Sequence, residues 1–586
     1  MKLAASTSPF NHLLKNQLRW VTCDIDTHRS KKLAVALNIS EVLASLLLRL
    51  GIDTELEAKK FLKPKLADLS DPFDIQNLSQ AVDRLIIAIE KQESVLVLGD
   101  YDVDGITATS LLVSILRQLG LKPAYIVPKR LEEGYGLSQA VIERGLHEYP
   151  ATLFIALDCG TNAVDEVKYL KEKGLDVLIL DHHRSKSALP EKVIIVNPHV
   201  FDSPNARWLH LCAVGLVFKL AHGLIKRLRQ QSNQKAHELE LKDYLDFVSM
   251  GTIADLVPLT NENRILVRHG LKRLSLSVHA GVKALFHASG LDVGQEVQPV
   301  DVSFKLGPRI NASGRLADAK LPLEMLLSTN FELAYAAANE LNLLNRQRQE
   351  IEKNIAEEAE KIVLDAYIDD PCLVIYNPNW HSGVVGIVAG RLARKFYRPT
   401  IVLGAEGPWA KGSGRSIPGI NLVDALNQSA DILKSWGGHP MAVGVSLNPV
   451  YVDQLRAAFN QAVFQQFQGT MPEPTLEIAT WLKPNQLDRT LLDQLEQLKP
   501  FGEGNPEPIL GLKGAYLKHP VIPFGDNHYR FQIETVGHES MAGVAWNKAD
   551  DMPPCGAPID LAVKFGWNAW NGKKIPQVEL ISWRLP

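Results

Sequence analysis

Val95-Leu96-Val97-Leu98-Gly99-Asp100-Tyr101-Asp102-Val103-Asp104-Gly105 is the stretch on which the reading of this chain turns. Val95 to Leu98 is an apolar run of strand length, and carboxylates follow at alternate positions, Asp100, Asp102 and Asp104. If the backbone stays extended there, a side-chain period of two sets all of them on one side. Gly105 then permits a tight turn into an apolar helical stretch, Ile106 to Leu119. In an open α/β sheet, ligands bind beyond the carboxyl ends of the strands. Anionic groups this close repel one another unless a positive charge sits among them. A hard divalent cation is the simplest such charge. A solvated acidic loop has the same local sequence, so the stretch does not decide alone.

Outward from it, helix and strand patterns alternate between residues 76 and 260. Apolar runs recur at 124–127, 153–157, 177–180 and 193–196, separated by helical stretches at 106–119, 138–148 and 163–173. Near-continuous apolar strands predict a parallel sheet covered on both faces. The run at 153–157 ends in Asp158-Cys159-Gly160, that at 177–180 in Asp181-His182-His183, and that at 193–196 in Asn197-Pro198-His199. A helical stretch at 242–250 runs into Gly251-Thr252-Ile253-Ala254-Asp255. A lone Asp after a strand is ordinarily a helix cap, and a lone His pair is ordinarily a surface feature. Several strand ends delivering Asp and His to one edge are not explained as independent caps; together they predict a metal site.

The chain has 586 residues, too many for one core. It is 46% hydrophobic and 22% charged, as globular proteins are, with a formal net charge of -3. Any nucleic-acid surface must therefore be a local basic patch. The five cysteines, at 23, 159, 212, 372 and 555, show no zinc spacing, and their odd number argues against a secreted disulfide framework. A reducing cytoplasm is the expected setting. Neither a signal-peptide core nor a membrane span is expected.

Four segments, Asp100 to Gly105, Asp158-Cys159-Gly160, Asp181-His182-His183 and Gly251 to Asp255, together resemble the DHH phosphoesterase superfamily. Lys305-Leu-Gly-Pro-Arg309-Ile-Asn-Ala-Ser-Gly-Arg315, Gly412-Ser413-Gly414-Arg415-Ser416, Gly437-Gly438-His439 and Pro500-Phe-Gly-Glu-Gly-Asn-Pro506 are similar to segments of the RecJ family. That family comprises bacterial single-strand-specific 5′→3′ DNA exonucleases, and the likeness runs over nearly the whole chain. The resemblance implies α/β architecture: an N-terminal extension (1–75), a parallel-sheet DHH catalytic domain (76–260), and a helical segment with a long connecting helix (261–366). A second α/β, DHHA1-type substrate-binding domain (367–468) and a C-terminal OB-like single-strand-binding β-barrel (469–586) follow.

By position, Asp102 would bind one metal and Asp104 the other, Asp158 would bridge them, and His182 and Asp255 would complete the second site. His183 would contact the scissile phosphate. The superfamily often has His four residues before its first metal-binding Asp; Leu98 stands there in this chain, and Asp100 is the candidate to compensate. The expected cofactors are two divalent cations, roughly 4 Å apart in such sites. Mn²⁺ suits the mixed oxygen and imidazole donors, with Mg²⁺ as the cellular rival.

Ser413-Gly414-Arg415-Ser416 offers backbone N–H groups, a hydroxyl and a guanidinium, a set that suits a phosphate. By resemblance, Ser413 and Arg415 hold the 5′-terminal phosphate with help from Arg130. Arg309 blocks extension past the 5′ end, and Gly437-Gly438-His439 binds substrate. Beyond residue 470, alternating runs such as 529–533 and 559–565 and the Asn571-Gly572 turn predict strands. A five-stranded barrel fits. Tyr529, Trp546, Trp567 and Trp570, interleaved with Arg530, Lys548, Lys573 and Lys574, are the candidates to stack bases and track phosphates. The expected partner is single-stranded DNA. A monomer that works with a single-strand-binding protein and a helicase in recombination and repair is a family expectation. Other readings are an oligoribonuclease or cyclic-dinucleotide phosphodiesterase of the same superfamily, and a non-catalytic single-strand-binding scaffold.

Overall fold

Strands that are apolar on both faces need cover on both faces, and helices supply it around the first sheet. The computed structural model describes residues 18–24, 26–129, 133–134, 136–185, 188–292, 294–467, 471–535, 540–570 and 573–586. Its strand order is Ala124–Ile126, Val95–Gly99, Leu153–Leu157, Asp176–Leu180, Ile194–Val196, every pair parallel. The register matters for function. Gly99 pairs with Leu157, Leu157 with Leu180, and Leu180 with Val196. The next residue on each strand, Asp100, Asp158, Asp181 and Asn197, therefore stands at one level on the carboxyl edge.

Among the described residues, the chain divides into two compact units. The larger holds Thr22–Asn342 with Glu477–Pro586, and the smaller is Leu343–Leu476 with the segment ending at Val21. The division falls inside the 32-residue helix Phe331–Ile362, the long helix expected between the lobes. No described helix is long and apolar enough to cross a membrane.

The described helices of the N-terminal stretch share a core with the C-terminal part of the chain. Ser40 caps helix Glu41–Arg49 by accepting from the Leu43 amide, as its sequence predicts. The apolar faces of this helix, of Thr27–Leu37 and of Glu55–Leu62 belong to one core with the C-terminal strands. Leu33, Leu43, Leu47 and Leu62 are buried in the same cluster as Leu492, Leu510, Tyr529, Leu561 and Val578. A short helical run has only one apolar stripe to bury, and sequence order does not say against what.

Among the described residues the C-terminal sheet has seven strand segments rather than five, and two of its pairings are parallel, Thr480–Leu482 with Leu510–Ala515 and Ser540–Ala545 with Lys573–Arg584. Tyr529 is fully buried in its core, with the hydroxyl donating to the Asp551 carbonyl at 3.0 Å, so it stacks on no base. The Asn571-Gly572 turn and the Trp570 and Lys573 side chains lie outside the described residues, as does Arg130.

The smaller unit is a five-stranded mixed sheet in the order Leu433–His439, Ala442–Leu447, Trp409–Arg415, Thr400–Glu406, Leu373–His381. Ser413 to Arg415 does not form a glycine-rich loop. It is the end of a central strand, paired on both sides, so its amides serve the sheet ladders and only its side chains are left for other contacts.

Candidate active site

The carboxylates after the Val95–Gly99 strand are not held by an extended chain. Helix Val103–Gln118 starts before Gly105, Asp102 is its N-cap, and the Asp102 carboxylate accepts from the Gly105 amide at 3.0 Å. Asp104 thus projects from the first helical turn while Asp100 stays on the strand end. Gly105 is required for close approach rather than for a turn. A Cβ there would sit 2.5 Å from the Asp100 carbonyl oxygen and 2.7 Å from its amide nitrogen.

Asp104 is fully buried and accepts from the amides of Ala213 (2.7 Å) and Val214 (2.8 Å), the first residues of helix Ala213–Gln230. An anion is favoured at a helix N-terminus. Asp158 takes a left-handed backbone (φ 64°), a conformation that Asp tolerates better than most residues. His182 joins the carboxylates: its Nε2 lies 3.1 Å from Asp158 Oδ1, 3.5 Å from Asp255 Oδ2 and 3.8 Å from Asp104 Oδ2. Ligand atoms of Asp100, Asp102 and Asp158 all lie within 4.8 Å of one another, and so do those of Asp104, His182 and Asp255. Leu98, in the superfamily's histidine position, is buried in the apolar core, and Asp100 two residues on reaches the first group.

The electrostatics of these groups are those of a site built for cations. Burial, reinforced by the Asp102 charge, pushes Asp100 well above the usual carboxylate range and Asp104 to about 7. Burial and the charges of Asp102, Asp104, Asp100 and Asp255 raise Asp158 well above that range. Asp255 is pushed to about 9, by burial and then by Asp104 and Asp102. Burial, with His183 beside it, lowers His182 to about 3, so its imidazole is neutral and free to ligate. Both Asp100 carboxylate oxygens and Asp255 Oδ2 are buried without a hydrogen-bond partner of normal geometry. Buried carboxylates short of well-formed hydrogen bonds fit hard cations.

His183 differs from its neighbour. Burial alone would lower it, but the hydrogen bond from Nδ1 to Asp181 (2.7 Å) and the Asp181 charge raise it to about 9. Asp181 also accepts from the amides of His182, His183 and Thr161, and stays below the usual carboxylate range although buried. Asn197 completes the frame by donating to Thr161 Oγ1 and to the His183 carbonyl. The orienting roles of Asp181 and Asn197 were missed in the sequence, where both read only as strand ends. Their position at the level of Asp158 was the signal.

Family models match in three blocks: DHH family, N-terminal domain, at residues 94–252; DHHA1 domain at 369–465; and RecJ OB domain at 478–582. The single-stranded-DNA-specific exonuclease RecJ of Bacillus subtilis is 36% identical over 97% of this chain and 71% of its own. The chain belongs to the RecJ family. It is also similar to RecJ of Thermus thermophilus crystallised with Mn²⁺ (TM-score 0.82, 28% identity, 98% of this chain and 80% of that one). The RecJ structure from the same organism with Mg²⁺ gives a TM-score of 0.76 at 28% identity, covering 98% and 79%. These matches support the DHH, DHHA1 and OB architecture that the sequence implied.

The remaining RecJ-like positions fall in two places. Arg309 lies in the larger unit, on helix Gly307–Leu316, where Nε donates to Asn342 Oδ1 at 3.0 Å. Ser413, Arg415, Gly437, Gly438 and His439 lie in the smaller one. Ser413 pairs across to Gly444 and on to Gly437, and Arg415 to Ala442 and on to His439, so Ser413, Arg415, Gly437 and His439 share one face of the sheet, while Gly438, paired with Val443, belongs to the other. Beside Gly437 and Gly444 that face is open, with nothing within 4 Å of either Cβ position. In the C-terminal domain, Trp546 is exposed beside Phe524 and His528, and Arg530 lies over the Phe524 ring. Trp567 is partly buried against the core, and Lys574 pairs with Glu296 at 3.3 Å.

Proposed function

We propose that this RecJ-family chain is a metal-dependent 5′→3′ exonuclease that releases 5′-mononucleotides from single-stranded DNA. One observation carries the reading: Asp100, Asp102 and Asp158, and Asp104, His182 and Asp255, form adjoining ligand groups linked by the Asp158–His182 contact. These residues hold two divalent cations. Mn²⁺ is the better fit to a set that includes imidazole, and Mg²⁺ the alternative. Such ions, when bound, supply an activated water and stabilise charge for in-line displacement at a phosphodiester.

The chain's own groups do the rest. His183, kept cationic by Asp181, donates a hydrogen bond to a non-bridging oxygen of the scissile phosphate and offsets its charge. Ser413 and Arg415, with His439 across the open glycine floor, grip the 5′-terminal phosphate. Arg309 limits extension past the 5′ end. Trp546 and Arg530 offer stacking and charge to single-stranded bases downstream. The RecJ OB domain favours a polymer substrate over a dinucleotide. Cooperation with a single-strand-binding protein and a helicase is proposed on the family likeness alone.

The test uses single-stranded DNA labelled at either end, with Mn²⁺ or Mg²⁺, for the wild type and Asp158→Ala. Mononucleotide release from the 5′ end that needs the metal and is abolished by the substitution is expected. Binding without cleavage in either metal would leave a scaffold. Cleavage confined to dinucleotides would move the assignment to a small-substrate phosphodiesterase.

A further inference from the structure

Pro500-Phe501-Gly502-Glu503-Gly504-Asn505-Pro506 belongs to the C-terminal part of the chain, yet it closes on the segment that carries Asp255. Asp255 is the C-cap of helix Leu245–Ala254, and residues 256–260 lead into helix Asn261–Leu274. The first residue of this connection, Leu256, is in the left-handed region (φ 58°) with its side chain exposed. A leucine is strained there and keeps that backbone only where the surroundings fix it.

The rest of this connection is held by the 500–506 loop, together with Asn263 Nδ2, which donates to the Pro258 carbonyl at 3.0 Å. The Leu259 amide donates to the Glu503 carbonyl at 2.7 Å. Gly504 (φ +69°) lies against Pro258 and Thr260, and Gly502 against Leu259: a Cβ at Gly504 would be 3.0 Å from Pro258 Cβ, and one at Gly502 would be 2.7 Å from Leu259 Cδ1. The loop is itself braced. Gly502 and Asn505 exchange backbone hydrogen bonds, and the buried Asn505 side chain donates to the carbonyls of Leu498 and Pro500. Arg264, 2% exposed, ties the next helix to the same loop. Its guanidinium donates to the carbonyls of Leu498, Gln497, Lys499 and Phe61 and stacks on the Phe61 ring.

We propose that the Pro500–Pro506 loop is a positioning element for the Asp255 carboxylate, so that the C-terminal domain sets how well the catalytic site holds its cations. The loop acts through the backbone of residues 256–260, with Gly504 and Asn505 as the positioning residues; it touches neither substrate nor metal. Plain domain adhesion would be satisfied by contacts anywhere on the shared surface. Here the loop's backbone hydrogen bond lands inside the short connection that ends at Asp255. The proposal rests on Asp255 as a metal ligand.

The experiment compares full-length wild type, Gly504→Ala, Gly514→Ala and Asp255→Asn. Gly514 also has a positive φ (+59°) but nothing within 4 Å of its Cβ position, so its variant reports backbone strain alone. Mn²⁺ binding is read by electron paramagnetic resonance without DNA, and the Mn²⁺ dependence of the rate separately. Gly504→Ala should weaken Mn²⁺ binding roughly tenfold, the size expected when a ligand's support is disturbed. Its rate should recover at high Mn²⁺, and its single-stranded DNA binding in chelator should match that of Gly514→Ala. Mn²⁺ binding equal in the two glycine variants would overturn the proposal. If Asp255→Asn itself leaves Mn²⁺ binding unchanged, the ligand assignment has failed instead. Should Gly504→Ala not fold, Asn505→Ala decides, because it removes the side chain that braces the loop through the Leu498 and Pro500 carbonyls; wild-type Mn²⁺ affinity there would also overturn the proposal.

Discussion

Gly105→Ala separates stability from catalysis. A methyl at Gly105 would lie 2.5 Å from the Asp100 carbonyl oxygen, 2.7 Å from its nitrogen and 2.8 Å from its carbonyl carbon. Ordinary van der Waals contact is about 3.5 Å, so the helix start must move away from the strand end by up to about 1 Å. All the atoms it meets are backbone, so no side chain can swing aside. Overpacking of this kind costs roughly 1–3 kcal/mol, and alanine in place of glycine inside a helix returns about 1 kcal/mol. The net loss of stability is therefore about 0–2 kcal/mol, small enough to leave the protein folded. Catalysis fares worse. Asp102 and Asp104 ride on the helix that moves while Asp100 and Asp158 stay on the strands, and a misplacement near 1 Å costs about 100-fold in rate. Urea unfolding and turnover of 5′-labelled single-stranded DNA at saturating Mn²⁺, run on the same preparation, check both halves. A folded variant with a rate within about threefold of wild type would refute the packing argument.

Asp181→Asn should drop the His183 imidazole from about 9 toward the ordinary 6.5 in the metal-free protein, read by histidine NMR titration. A raised histidine value stabilises fully below the unfolded value of 6.5 and is lost as pH rises through about 9. The part of the variant's stability deficit that comes from His183, about 1–2 kcal/mol after solvent screening, should thus be largest on the acid side and fade in alkali, while the part from the amides that Asp181 accepts persists. Glu262→Gln leaves Lys219 as an unpaired cation with no exposed surface, where the pair now sits at 3.0 Å, and should cost about 3–5 kcal/mol in urea unfolding. Trp546→Ala should weaken single-stranded DNA binding by about 1–3 kcal/mol in a fluorescence titration. Tyr529→Phe, which removes one buried hydroxyl, should lower stability by about 1 kcal/mol and leave DNA affinity unchanged.

The catalytic sheet was legible because parallel strands write themselves as apolar runs and end at one edge. Asp158 and His182 were visible for that reason, whereas Asp255, at the end of a helix, was singled out with the family resemblance. The geometry around Asp102 and Asp104 was misread because alternating carboxylates describe an extended chain and a helix N-terminus equally well; Asp102 capping the Gly105 amide decides between them. Ser413 to Ser416 read as a set whose backbone N–H groups could serve a phosphate, but the amides of Ser413 and Arg415 belong to the sheet ladders. The glycines beside them serve packing: a Cβ at Gly412 would meet the Val402 carbonyl, and one at Gly414 the Val443 and Ile401 side chains. Asp181 went unassigned because its work depends on Thr161 and Asn197, and such partners are found only once register is known. Tyr529 shows the limit of composition, since an aromatic beside an arginine reads alike whether it faces solvent or core.

The core shared by the N-terminal helices and the C-terminal strands sets a timetable for the growing chain. The Ser40 amide and the Gln494 side chain that meets it at 3.1 Å are 454 residues apart in sequence. At about 5–20 residues per second, the ribosome needs on the order of half a minute to a minute and a half to make the second partner after the first. Through that interval Leu43, Leu46 and Leu47 wait for the partners they are buried with, Leu492 and Leu510 among them. These early helices are thus finished late. Damage to Leu492 or Leu510 near the other end of the chain would surface as helices near the start that never find their place, a load that falls on chaperones rather than on the active site.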